Sequence, residues 1–258
     1  ESSYIGIITA LTTGDRRAIT PQQWSVLKMT GTTHLMAISG LHVGLVAGIV
    51  FFLFRFIWSS VPVFSLFFPA HKAAIIVALL VAAFYSLMAG FSLPTQRALL
   101  MLTILSVSLL LSRRVRPLNI LSLTLLAVLV LDPLSILSAG FWLSFSAVAR
   151  ILYALLHRRL NPARPVNRMI GAIHLQWKLS LMIAPATLIF FQHIPLAGPV
   201  ANLIAIPAVA FLIVPLVLLA SLSYLAMGSG YVDQYLYQLA EIVLDSLWVL
   251  LDRLAVMA

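Results

Sequence analysis

The sequence predicts an all-α, polytopic transmembrane domain, on three observations. Hydrophobic residues fill 62% of its 258 positions and the mean hydropathy is +1.08, far above the roughly 45–50% apolar content of soluble domains. They fall in long runs separated by short turns containing proline, glycine or arginine. Several runs are themselves interrupted by glycine, histidine or proline, and lipid offers no partner for a freed amide or an imidazole. At about 20 residues per crossing there is room for roughly seven or eight membrane segments with interrupted helices, in a single domain over residues 1–258 with no sizeable soluble part.

Residues 1–33 read as an outer-side lead-in. Positions 1–20 are polar to mixed, and nothing there resembles a cleavable signal peptide. Thr20-Pro21-Gln22-Gln23 has the spacing of a capping box with proline at the first helical position. The short helix it opens carries Trp24 and Leu27 on one face beside Lys28, the pattern of an N-terminal interfacial helix, and Gly31 ends it.

Membrane spans occupy residues 34–226. The first, 34–58, opens inside the string TGTTHLMAISGLHVG (30–44), where Ser39, Gly40, His42 and Gly44 break the apolar run; the break therefore faces protein or water. Gly40, Gly44 and Gly48 recur every four residues and form a smooth face for helix packing. The second span is 72–89, the turn Gly90 to Pro94 follows, and the third, 94–112, holds Arg97 near its first turn. The fourth, 118–131, is short; Asp132-Pro133 turns the chain into a fifth that runs to about 156 and contains GFWLSF. The sixth covers 173–191. The seventh, 200–226, carries Pro207 and Pro215, each of which removes a helical hydrogen bond and kinks or splits the helix. In residues 231–258, Gln238, Glu241, Asp245 and Asp252 recur at helical spacing, which reads as an amphipathic or edge helix.

Charge narrows the function. Lysine and arginine number 16 against seven acids, and between Arg16 and Val232 the only carboxylate is Asp132. Proton- or sodium-coupled carriers and intramembrane metalloenzymes place carboxylates at mid-membrane, so an anionic passenger suits this chain better. The arginine-rich loops at 113–116 and 157–168 fall on one side by parity, and the positive-inside bias makes that side cytoplasmic. That bias alone accounts for most of the basic residues. Cysteine is absent, which removes thiolate chemistry. His34 and His42 are eight apart without a carboxylate, which makes a poor metal site, and nothing is placed to orient a histidine base beside Ser39. No catalytic residue, metal or cofactor is expected.

Four strings occur in order: TGTTHLMAISGLHVG; GFSLPTQRALLM from Gly90; DPLSILSAGFWLSFSAV from Asp132; and PLAGPVANLIAIP from Pro195. Together they resemble the ComEC/Rec2 family of competence proteins, the inner-membrane DNA-uptake proteins of naturally transformable bacteria. Trp142 departs from that pattern, which has glutamine there. The family's oligonucleotide-binding-type and metallo-β-lactamase-like domains, the latter a proposed nuclease, are not within this chain. The resemblance implies a multi-pass channel in the bacterial inner (cytoplasmic) membrane that passes single-stranded DNA into the cytoplasm and is not an enzyme. It implies as partners membrane lipid, the soluble domains of the full-length protein, a DNA receptor and a cytoplasmic DNA motor. Two alternatives stay open: a carrier of another anion that uses the broken first helix, and a non-conducting assembly scaffold.

A polyanion path needs hydrated, preferably positive walls. The candidates to line it are His34, Ser39, Gly40 and His42 at the break, Arg97, Arg150 and Asn202. Ser39 and His42 share a helix face, and Arg97 lies on the outer side, where positive-inside bias discourages arginine. Each has a structural reading beside the functional one: a histidine or asparagine bonded to a neighbouring helix, or an arginine snorkelling to headgroups.

Overall fold

The computed structural model of the protein describes residues 4–113, 116–157, 177 and 197–256, and among them there are helices and turns but no strand. The chain divides into two compact units, Glu1–Ile38 with Ala154–Ala258, and Ser39–Tyr153.

The first unit begins with a helix that the polar-to-mixed reading of residues 1–20 does not announce. In α1 (Ile5–Thr13) the hydroxyls of Thr9, Thr12 and Thr13 donate back to the carbonyls of Ile5, Ile8 and Thr9. The threonines thus satisfy themselves inside the helix, and Ile7, Ala10 and Leu11 are left to pack. Gly6 permits the fold here: a Cβ at that position would lie 2.3 Å from the Ala18 carbonyl oxygen. Helix α2 (Pro21–Met29) starts on the expected capping box, with the Gln23 N–H donating to Thr20 Oγ1 at 3.2 Å and the Thr20 N–H donating to Gln23 Oε1 at 3.0 Å. Its Leu27 is only 1% exposed and belongs to the protein core.

Two long helices complete this unit. Helix α9 (Gly198–Met227) is 30 residues long and apolar enough to cross a membrane. The two prolines do not split it. Between them the helix widens into a π-helical stretch, Ala208–Ile213, which absorbs the lost hydrogen bonds while the helix continues. Helix α10 (Tyr231–Val256) opens with the Gly230 N–H donating to Asp233 Oδ1 at 2.7 Å. It packs Ala240, Leu244, Leu247 and Leu251 into the same core as Ile7, Leu11, Leu27 and Ile213. On its polar stripe Asp245 accepts a hydrogen bond of 2.8 Å from Tyr4. Burial, reinforced by that carboxylate, pushes the Tyr4 phenol up to about 12, so the donor keeps its proton at any physiological pH.

The second unit is a helical meander: α3 (Gly40–Ser60), α4 (Pro62–Phe67), α5 (Ala70–Met88), α6 (Leu93–Leu110), α7 (Pro117–Leu131) and the greater part of α8 (Ala139–His157). Helix α3 packs on α5 and α6, and α6 packs on both α5 and α7. With α9, the helices α3, α5 and α6 make four that are long and apolar enough to cross a membrane, while α7 and the 139–153 part of α8 are shorter apolar helices. The expected sixth span, 173–191, lies outside the described residues apart from Trp177.

The first span begins at Gly40 instead of residue 34. A 3-10 turn, Thr33–Met36, is followed by extended backbone at Ala37 and Ser39, which takes residues 34–39 out of the helix. Of its three regularly spaced glycines, Gly40 approaches another helix: a Cβ there would sit 3.1 Å from Ala98 Cβ of α6, whereas the same positions at Gly44 and Gly48 meet nothing within 4 Å among the described residues. Phe52 and Phe56 are exposed on the outer surface of α3, as lipid-facing aromatics would be.

These glycines behave differently on substitution. Gly6→Ala lowers the thermal unfolding midpoint in detergent, because backbone cannot yield to the new methyl and overpacking costs about 1–3 kcal/mol. Gly44→Ala and Gly48→Ala leave the midpoint unchanged or raise it, since alanine gains up to ~1 kcal/mol in helix propensity over glycine. Equal losses at all three positions would contradict this packing.

Candidate functional site

Of the residues singled out at the break in the first span, Ser39, Gly40 and His42 lie in the second unit, where three helices begin. Helix α3 starts at Ser39, whose N–H donates to His42 Nδ1 at 3.2 Å. An imidazole thus takes the place that glutamate or glutamine holds in a capping box. The bond assigns the tautomer: Nδ1 accepts, so the proton of the neutral ring is on Nε2. His42 is 1% exposed.

Helix α6 starts after a tight turn in which Gly90 and Phe91 both have positive φ, 71° and 45°. Phe91 is a residue that pays for that conformation; Gln96 Nε2 holds it by donating to its carbonyl at 2.8 Å, while its own N–H donates to the Ser86 carbonyl at 3.0 Å. Thr95 Oγ1 donates to the Ser92 carbonyl at 2.7 Å, so the hydroxyls around this start serve the turn. Helix α8 follows the 3-10 turn Pro133–Leu137 and starts with the Phe141 N–H on Ser138 Oγ at 3.2 Å. Trp142 does hydrogen-bond in this chain, its indole N–H donating to the Ile136 carbonyl at 2.8 Å.

Arg97 ties these starts together. Its Nη2 donates to the Gly140 carbonyl in the first turn of α8 at 3.0 Å, and the next residue, Ala98, is the one Gly40 of α3 approaches. The first turns of α3, α6 and α8 therefore lie at one level. Arg97 is 4% exposed and its Nε has no hydrogen-bond partner. No carboxylate pairs with it: among the described residues the ion pair is Asp15 with Arg17, 2.6 Å apart in the first unit, where the hydrogen bonds from Arg17 hold the exposed Asp15 carboxyl down at about 2.

Native structures leave few buried polar atoms unsatisfied. Among the described residues the unsatisfied side-chain atoms are Tyr85 Oη, Arg97 Nε, Arg150 Nη1 and Asn202 Oδ1, and three of these four residues were candidates from sequence. Arg150 is ten residues along α8 from Gly140, about 15 Å at 1.5 Å per residue, and Asn202 belongs to α9 in the first unit. His34 is also in the first unit, exposed, with its ring Nδ1 3.1 Å from the Gly31 carbonyl. Sequence reasoning passed over Tyr85 because a tyrosine near the end of a span reads as an interfacial anchor. The loop arginines Arg114, Arg158, Arg159, Arg164 and Arg168 lie outside the described residues.

Comparison with known proteins gives a consistent set. The family model described as competence protein matches residues 11–258. Recombination protein 2 of Haemophilus influenzae is 36% identical over 230 residues, which cover 84% of this chain and 28% of that protein. Competence protein ComA of Neisseria gonorrhoeae is 35% identical over 222 residues, 85% and 31% respectively, and the Escherichia coli protein YcaI is 31% identical over 244 residues, 91% and 31%. The chain spans less than a third of the length of these curated relatives. No solved structure matches it.

Two substitutions separate structural from functional roles here. His42→Gln restores the usual capping box and keeps the unfolding midpoint, whereas His42→Ala lowers stability by at least ~1 kcal/mol through the lost acceptor and buried volume. Arg97→Met leaves the midpoint unchanged or higher, because a buried charge without a counter-charge is commonly replaced by an apolar group of similar size at no loss. A large drop for Arg97→Met, measured by thermal unfolding in detergent, would make the arginine a structural element.

Proposed function

The chain belongs to the competence protein family, and from that membership we propose that it forms the membrane-embedded translocation part of a DNA-uptake system, passing one strand into the cytoplasm during transformation. The observation that carries this reading beyond family membership is Arg97, a cation sealed at the meeting of three helix starts without a carboxylate beside it. A fold that needed only stability has little use for such a group. A polyanion supplies the counter-charge that the protein leaves out, and with Asp132 the sole acid between Arg16 and Val232 the interior offers that strand almost no repulsion.

The alternation of the helices supports the orientation drawn from the basic loops. Because α3, α6 and α8 begin at one level, the turn after α6 with Arg113 and Arg116 and the far end of α8 fall together on the opposite side, which positive-inside bias makes cytoplasmic. The lead-in residues, the Gly90 turn and the Arg97 cluster then face outward, in the inner membrane of a bacterium. Helices α7 and α8 and residues 173–191 join the four long helices to make seven membrane segments, α10 is an edge helix or an eighth, and α2 lies at the outer interface with its Trp24 and Leu27 face on the protein core. Ser39, Gly40, His42, Arg97 and Arg150 of the second unit line the strand's path. Passage occurs without covalent chemistry in this chain and without a cofactor, and depends on the soluble domains of the longer protein, a DNA receptor and a cytoplasmic DNA motor. The names of two relatives, Recombination protein 2 and Competence protein ComA, fit this assignment.

A carrier of a smaller anion is the second reading, favoured by the near-complete occlusion of Arg97. Uptake of labelled DNA at equal membrane abundance tests both. Single alanine substitutions at Ser39, His42 and Arg97 should reduce DNA uptake, most for Arg97 at about tenfold or more, the scale of one lost charge-assisted contact. Wild-type uptake in all three variants removes the site assignment, and normal DNA uptake combined with lost transport of a small anion selects the carrier.

A further inference from the structure

We propose that the meeting point of α3, α6 and α8 is a closed seat for a single phosphodiester group of a nucleic-acid strand, with Arg97 as its anchor and Tyr85 as a second donor. The identity of the strand rests on the conduit reading; the seat itself rests on four observations. The first turns of three helices lie at one level around Arg97, and each such turn presents amides that have no partner within their helix, at the positive end of its dipole. Two donors of this unit are buried and idle, Arg97 Nε and Tyr85 Oη, on residues 4% and 7% exposed. Tyr85 is about one turn from the end of α5 and Arg97 about one turn into α6, so the short turn joining those helices holds the two at the same depth. Glycines stand where α3 and α8 come close to α6: a Cβ at Gly40 would lie 3.1 Å from Ala98 Cβ and one at Gly140 would lie 3.7 Å from Arg97 Nη2, so backbone comes near the arginine. Finally, the single carboxylate of this unit, Asp132, forms no ion pair among the described residues.

Such a set of donors without acceptors takes an anion, and the planar guanidinium fits two oxygens of one phosphate at once. In the closed arrangement Arg97 is held by a neutral carbonyl, that of Gly140. Charge-assisted bonds are roughly twice as strong as neutral ones. An arriving phosphate therefore displaces the carbonyl and releases the contact between α6 and α8, which makes the seat also the first latch that a strand opens on the outer side.

The test uses the full chain in phosphatidylcholine nanodiscs with fluorescent oligothymidylate and, as a control, an uncharged methylphosphonate oligomer of the same sequence. Arg97→Met should weaken oligothymidylate binding about tenfold and reduce the steepness of its salt dependence by about 0.7, the value for one phosphate on a single strand. Arg97→Lys should recover the salt slope but only part of the affinity, Tyr85→Phe should weaken binding about two- to threefold, and the methylphosphonate oligomer should not distinguish the variants. An unchanged salt slope in Arg97→Met, or an equal loss for the uncharged oligomer, overturns the seat. So does loss of the Arg97 effect in phosphatidylglycerol discs, which would assign the site to a lipid headgroup. DNA uptake in cells separates this from the conduit: uptake that persists without the chain while the binding difference remains removes the conduit alone, and uptake that requires the chain with no binding difference removes the seat alone.

Discussion

Water is missing from the interior of a bilayer, and every polar group carried into it must find its partner within the protein. This chain meets that constraint mainly by local means. Ser86, Thr103, Ser108 and Thr124 each donate to the carbonyl four residues back, at 2.7–2.8 Å, and so disappear as polar groups into the helices that carry them. The same device lets the threonines of α1 pass as packing residues. Against that background a buried donor or acceptor left over is conspicuous, and the few that remain fall largely on residues whose chemistry suits an anion.

Helix ends are where the constraint presses hardest, since the first amides of a helix have no partner inside it. The second unit handles this with side chains that accept at two of the starts, His42 for α3 and Ser138 for α8, while Thr95 and Gln96 of α6 donate to the carbonyls of the turn before it. A single arginine, Arg97, joins α6 to the first turn of α8 through the Gly140 carbonyl. Structural and functional demands therefore coincide in one small region, because an arrangement that caps three helices also concentrates positive potential without any acid to cancel it. The first unit uses its polar residues differently. Tyr4 and Asp245, and Tyr237 with Ser221 at 3.0 Å, tie helices together around an apolar core and leave no comparable cluster of donors among the described residues.

The helical class, the four long apolar helices, the capping box of α2 and the membership in the competence family were all legible in the sequence, because each depends on composition or on residues within one turn of each other. Even Arg97 stood out, through the contrast between its charge and its position. Three things were decided by tertiary structure. Helix α1 exists because Gly6 lets it lie against the 18–19 backbone, a contact between segments that periodicity does not reveal. The first span starts at Gly40 because the preceding residues follow a 3-10 turn and an extended path, and an apolar run reads the same in both conformations. The idle hydroxyl of Tyr85 and the carbonyl that holds Arg97 come from helices brought together by folding: a sequence states which groups need partners, and only packing across helices determines which of them go without.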